Sequence, residues 1–160
     1  MPLNDGNEPE IRAVVLDKDD CFAIPKETVI YKPYYDKFQA LRAAYPGSRL
    51  LIVSNSAGTR DDIGGQEADL LERATGVKVF RHKTKKPGCG AQVFEFLRNE
   101  SGNEVTRPSQ IAVIGDRLST DIMMANMSGF WGLWIKDGVV PEKSFVRLFY
   151  SWENVGVSDI

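Results

Sequence analysis

Five short apolar runs rich in β-branched residues recur along the chain, at residues 13–16, 50–53, 77–80, 111–114 and 132–135, with an amphipathic stretch between each pair. Runs this short and apolar predict strands buried on both faces, and the intervening stretches 33–44, 66–75, 89–99 and 120–127 predict helices. Pro33 stands where a helix-opening proline belongs, and Gly76 and Gly129 stand where helices end. The alternation predicts the α/β class: a three-layer Rossmann-like sandwich around a parallel five-stranded sheet. At 160 residues, 42% of them hydrophobic, the chain suits one domain over 1–160, with the polar residues 1–10 expected to be flexible. The aromatic stretch 145–152, preceded by Trp131 and Trp134, reads as packed core rather than as a membrane-interface stripe.

Charge narrows the partners. A net charge of -2 and a pI near 5.5 give no broad positive field, so no nucleic acid partner is expected and an anionic substrate must meet locally clustered cations. Cys21 and Cys89 make no zinc spacing, which suits free thiols in a reducing compartment. No apolar run approaches the roughly 20 residues of a membrane span, and the acidic beginning of the chain has no Arg-rich amphipathic targeting pattern.

The polar residues that end these runs carry the chemistry. Val14-Val15-Leu16 leads to Asp17, Lys18 and Asp19; Leu51-Ile52-Val53 leads to Ser54 and Asn55; Val113-Ile114 leads to Gly115-Asp116, with Asp121 beyond. Lys85-Lys86-Pro87 lies ahead of the third helix. Ligands of open α/β sheets bind beyond the carboxyl ends of the strands, beside the point where strand order reverses. If the first and fourth strands are neighbours there, Asp17 and Asp116 repel unless a divalent cation lies between them. Mg2+ fits that need, because it takes a few hard oxygen ligands and keeps waters that phosphate oxygens displace.

Other chemistries fit poorly. A calcium loop needs glycine where Phe22 stands and an acid or amide where Cys21 stands. Cysteine phosphatases place arginine six residues after the nucleophile, where this chain has Glu27 and Glu95. His82 is the only histidine, which excludes a histidine-rich metal site and makes it a strand-end or substrate-edge residue.

The constellation resembles the haloacid dehalogenase superfamily of phosphatases. The resemblance implies that Asp17 is the nucleophile that forms an aspartyl-phosphate, and that Asp19 is the general acid and base and binds Mg2+ through its carbonyl. It makes Asp116 a metal ligand beside Asp17, gives phosphate binding to Ser54, Asn55 and Lys86, and makes Asp121 an orienting group behind the metal ligands. Lys83 and Lys85 compete with Lys86 for the phosphate; the adjacent Pro87 favours Lys86.

A narrower resemblance covers nearly the whole chain. Ala13 through Cys21, Lys85-Lys86-Pro87-Gly88-Cys89, Gly115 through Ile122, Ala125-Asn126 and Gly129-Phe130 resemble the mitochondrial phosphatidylglycerophosphate phosphatase family. In this chain Asp20 replaces the asparagine of that pattern, and the hydrophobic segment that family members carry ahead of the first strand is missing. The resemblance implies a peripheral membrane enzyme of phospholipid metabolism on the matrix side of the mitochondrial inner membrane, making phosphatidylglycerol for cardiolipin.

The intervals between the motifs are too short for a lid domain of 50 residues or more. An uncapped site suits a phosphate carried by a bilayer or a macromolecule, and residues 22–31 are expected to form at most a small flap. Lys18, Lys83, Lys85 and Arg117 are candidate contacts to a second phosphate or to anionic head groups. Two other readings remain open: the same chemistry on a phosphoprotein or polynucleotide end, and a receiver-like signalling module. Receivers place hydroxyl and lysine after the phosphorylated aspartate, whereas here both precede Asp116.

Overall fold

The structure is a computed structural model that describes residues 9–139. The aromatic stretch 145–152 lies outside the described residues, as do residues 1–8. Five strands, β1 (Ala13–Leu16), β2 (Leu50–Ile52), β3 (Lys78–Val79), β4 (Ile111–Gly115) and β5 (Trp131–Trp134), form one parallel sheet in the order β3-β2-β1-β4-β5. Four helices, α1 (Tyr35–Ala44), α2 (Gln66–Thr75), α3 (Gly90–Glu100) and α4 (Met123–Ser128), join them. This is the three-layer α/β arrangement around a parallel five-stranded sheet that the sequence predicts, with no inserted cap domain among the described residues.

Period-2 alternation in β1 divides the core in two. Ala13 and Val15 pack with Val93, Leu97, Met124 and Ala125 of α3 and α4, whereas Val14 and Leu16 pack with Phe38, Ala68 and Leu71 of α1 and α2. Strand order reverses beside β1, where Leu16 pairs with Ile52 on one side and Ile114 on the other. The residues that follow Leu16 and Ile114 therefore enter one crevice.

Local chemistry sets the element ends. Gly76 and Gly129 close α2 and α4 at φ +67° and +74°, the left-handed region that glycine enters without steric cost. Asp62 supplies the start of α2, accepting hydrogen bonds from the amides of Gly58, Glu67 and Ala68 at 2.9, 2.9 and 3.0 Å. Burial pushes its carboxyl up, but those three amides outweigh it and hold the pKa below the usual value.

Three expectations change. Pro33 sits in a short 3-10 turn, Lys32–Tyr34, and α1 begins after it. A π-helical turn, Leu118–Ile122, precedes α4, so the single predicted helix 120–127 is two pieces. β5 is an edge strand rather than a buried one: Leu133 and Trp134 are about half exposed, and the Trp134 indole donates to the Asp116 carbonyl instead of packing in the core. Its outer edge pairs with no strand among the described residues.

Candidate active site

β1 and β4 deliver Asp17 and Asp116 to the crevice, and the Asp17 amide donates to the Ile114 carbonyl at 2.9 Å across the two strand ends. Carboxylate oxygens of Asp17, Asp116 and Asp121 all lie within 4.8 Å of one another. Lys86 reaches this group from the loop before α3, and its Nζ donates to Asp17 Oδ1 and Asp121 Oδ1, both at 2.6 Å. Asn55 holds the lysine in place from the end of β2: the Lys86 amide donates to Asn55 Oδ1 at 2.8 Å and Asn55 Nδ2 donates to the Lys86 carbonyl at 3.4 Å. The Lys86–Pro87 peptide is cis.

Asp121 is completely buried. The π-helical turn directs it inward, where its Oδ2 accepts from the Arg117 amide at 3.1 Å. Gly115 makes room for it, because a Cβ there would fall on the Asp121 carboxyl group. Asp121 thus orients Lys86 and closes the loop after β4.

Electrostatics follow from two carboxylates sharing one ammonium. Burial drives the Asp17 carboxyl up to about 6; Lys86 opposes that shift and the Asp121 charge adds to it. Burial works against the Lys86 ammonium, but Asp17 and Asp121 outweigh it and raise its pKa. Asp116 Oδ1 is buried and has no hydrogen-bond partner among the described residues. A buried carboxylate oxygen without a donor is costly, and hard oxygens gathered with net negative charge suit a small divalent cation.

A cavity of about 180 Å³ opens over these groups, lined by Asp17, Asp19, Asn55, Ser56, Lys86, Arg117 and Thr120. Of the three competing lysines, only Lys86 lines it; Lys83 is exposed elsewhere and Lys85 is an exposed partner of Asp61. Ser54 is buried behind the wall, where its Oγ accepts from the Ser56 amide at 3.1 Å. Sequence reasoning missed Ser56 and Thr120; a second hydroxyl two residues after Ser54 was the available signal for Ser56.

Lys18 corrects another expectation. It is wholly buried and cannot touch a substrate, because the carboxylates of Asp19 and Glu67 and the backbone carbonyl of Glu27 draw the ammonium inward. His82 is buried as well, its ring nitrogens 2.7 Å from the Thr84 carbonyl and 3.0 Å from the Ser54 carbonyl, and it does not line the cavity. The segment 22–31 packs down through buried Phe22 and Ala23. Both thiols are buried and pushed upward, Cys89 to about 11, which argues against cysteine chemistry.

Comparison with known proteins identifies the family. Residues 1–140 match the family described as mitochondrial PGP phosphatase. The chain is 47% identical to a mitochondrial phosphatidylglycerophosphatase of Saccharomyces cerevisiae, over 95% of this chain and 81% of that protein. It is 38% identical to a probable mitochondrial phosphatidylglycerophosphatase of Schizosaccharomyces pombe, over 89% of this chain and 68% of that protein. The crystal structure of an uncharacterized Listeria monocytogenes protein shares the fold, at TM-score 0.53 and 14% identity over 81% of this chain and 83% of that one. The chain belongs to the mitochondrial PGP phosphatase family.

Proposed function

We propose that this family member is a Mg2+-dependent phosphatase that removes the terminal phosphate of phosphatidylglycerophosphate, giving phosphatidylglycerol for cardiolipin. We place it at the matrix face of the mitochondrial inner membrane, as a peripheral enzyme. Relatives named for this lipid phosphatase activity and for mitochondria support that reading. No helix among the described residues is long and apolar enough to cross a membrane. The observation that carries the chemistry is the convergence of Asp17, Lys86, Asp116 and Asp121 at the reversal of strand order.

In this reading a carboxylate oxygen of Asp17 attacks phosphorus. Asp19, also at the cavity, gives its proton to the leaving glycerol oxygen as the phosphorus–oxygen bond breaks, which leaves an aspartyl-phosphate. Asp19 then takes a proton from a water, the water oxygen bonds to phosphorus, and phosphate leaves Asp17. Lys86 balances charge on Asp17 and on the phosphoryl oxygens; Asn55 and Ser56 donate to those oxygens. Ser54 holds Ser56 rather than the phosphate.

The unpartnered Asp116 oxygen and the hard carboxylate set fit Mg2+, which Asp17, Asp116 and the Asp19 carbonyl would hold, with Asp121 behind them. When bound it would supply positive charge opposite Asp17 and the phosphate. Arg117, exposed at the cavity wall, would meet the second phosphate of the substrate; Lys83, and Lys85 beside its partner Asp61, would meet anionic head groups only from outside the cavity.

The test is phosphate release from phosphatidylglycerophosphate vesicles against soluble phosphomonoesters, phosphopeptides and polynucleotide 3′-phosphate ends, each with and without Mg2+. Preference for the vesicles with Mg2+ supports the reading. A phosphopeptide or a polynucleotide end that outcompetes the lipid overturns the substrate.

A further inference from the structure

We propose that Lys18 is a positioning residue for Asp19, fixing which carboxylate oxygen carries the transferred proton. This rests on the reading of Asp19 as general acid and base. Lys18 has no solvent exposure, and a lysine is buried to that degree only when its charge is paired and its donors are used. Its Nζ lies 2.6 Å from Asp19 Oδ1, 3.2 Å from the Glu27 carbonyl and 3.6 Å from Glu67 Oε1.

The geometry around Asp19 assigns its two oxygens different tasks. The Lys26 amide also donates to Oδ1, at 2.9 Å, so two donors converge on that oxygen. An oxygen that accepts from two N–H groups is the poor place for a proton. When Asp19 is protonated the hydrogen therefore sits on Oδ2, which accepts no hydrogen bond among the described residues, while Asp19 itself lines the cavity. Lys18 holds the carboxyl in that orientation, and without it most of the general-acid contribution, about 10²–10⁴-fold, is lost.

The same ammonium connects Asp19 to the phosphate side. Glu67 Oε1, which faces Lys18, also accepts from Ser56 Oγ at 3.2 Å, and Ser56 lines the cavity. The Glu27 carbonyl brings in the segment 22–31. One buried cation thus ties together the proton-transfer group, the phosphate-binding hydroxyl and the segment 22–31, and its closest contact is with the proton-transfer group.

Leaving groups separate this role from a structural one. An aryl ester departs without a proton; an alkyl ester needs one. Single-turnover phosphorylation of the full chain is measured with Mg2+ on p-nitrophenyl phosphate and on phosphatidylglycerophosphate vesicles, for wild type, Lys18→Met and Asp19→Asn. In Lys18→Met the alkyl rate is expected to fall about 30-fold or more while the p-nitrophenolate burst stays within about threefold of wild type. If Lys18→Met does not fold, Lys18→Gln, whose amide ends short of Asp19, is read by the same criterion. Equal losses on both esters in the Lys18 variant, with the split present in Asp19→Asn, overturn the positioning role alone. No split in Asp19→Asn overturns the general-acid reading, and the role of Lys18 falls with it.

Discussion

Lys86 and Asp121 are joined by a 2.6 Å charge-assisted hydrogen bond from which solvent is excluded on both sides. Because the same ammonium also holds Asp17, the buried group carries one positive charge against two negative ones, with Asp116 beside it. Paired this way the charges tolerate burial, but each carboxylate depends on a cation it must share. That dependence makes the site fragile to changes at one residue and receptive to a metal.

Replacing Lys86 with Met leaves Asp17 and Asp121 buried without their counter-charge. Breaking a buried pair in this way costs about 3–5 kcal/mol, which urea denaturation will register as a lower midpoint. Lys85→Met, one residue earlier, breaks only an exposed pair with Asp61 and is expected to change stability by about 0.5 kcal/mol or less.

Asp17→Asn keeps the shape of the side chain and removes the nucleophile of the proposed mechanism, so phosphate release is expected to fall to the uncatalysed background. Its effect on stability has the opposite sign. Burial lifts the folded-state pKa of Asp17 to about 6, above the ordinary aspartate value of 3.8, so its contribution is fully present below pH 4 and lost as the pH rises through 6. The asparagine variant has no such loss. In the absence of divalent metal, thermal melts should show the variant gaining on wild type between pH 4 and pH 7, by at most about 3 kcal/mol.

Asp116→Asn tests the metal. The wild-type chain is expected to melt several degrees higher with saturating Mg2+, since a ligand that binds only the folded state stabilises it by mass action. The variant should lose that response, yet its metal-free midpoint should equal or exceed that of wild type, because the buried unpartnered oxygen no longer carries charge. An undiminished Mg2+ response in the variant would remove Asp116 from the ligand set.

Gly115→Ala places a methyl group on the Asp121 carboxyl. Overpacking of this kind costs about 1–3 kcal/mol, and displacing Asp121 loosens Lys86, so activity and stability should fall together. Gly102→Ala is the control: a Cβ there has open space, and only the left-handed φ of +65° opposes it.

The parts of the molecule that sequence revealed best are those dictated by local pattern. The strands around residues 13–16, 50–53 and 111–114 were legible because continuous apolar runs have few other outcomes, and the carboxyl ends of such strands are where site residues collect. What remained illegible depends on direction. Ser54 and Ser56 are both hydroxyls near one strand end, and only the backbone decides which faces the cavity and which supports it. Lys18 looked like a surface cation because, beyond its neighbour Asp19, its partners are the Glu27 carbonyl and the Glu67 carboxylate, the second separated from it by 49 positions of sequence. Nothing in residues 118–122 announces a π-helical turn; it arises from where Asp121 must go.

The pairing of β1 with β4 has a consequence for how the protein is made. β1 lies at the centre of the sheet, but the strand that completes its crevice lies about a hundred residues further along the chain, so the site belongs to the most non-local strand pairing of the fold. A nascent chain that has formed β1, β2 and β3 holds Asp17 and Ser56 but has no Asp116 or Asp121 to set against Lys86. The complete site therefore arrives late in folding, once β4 and the turn behind it have docked.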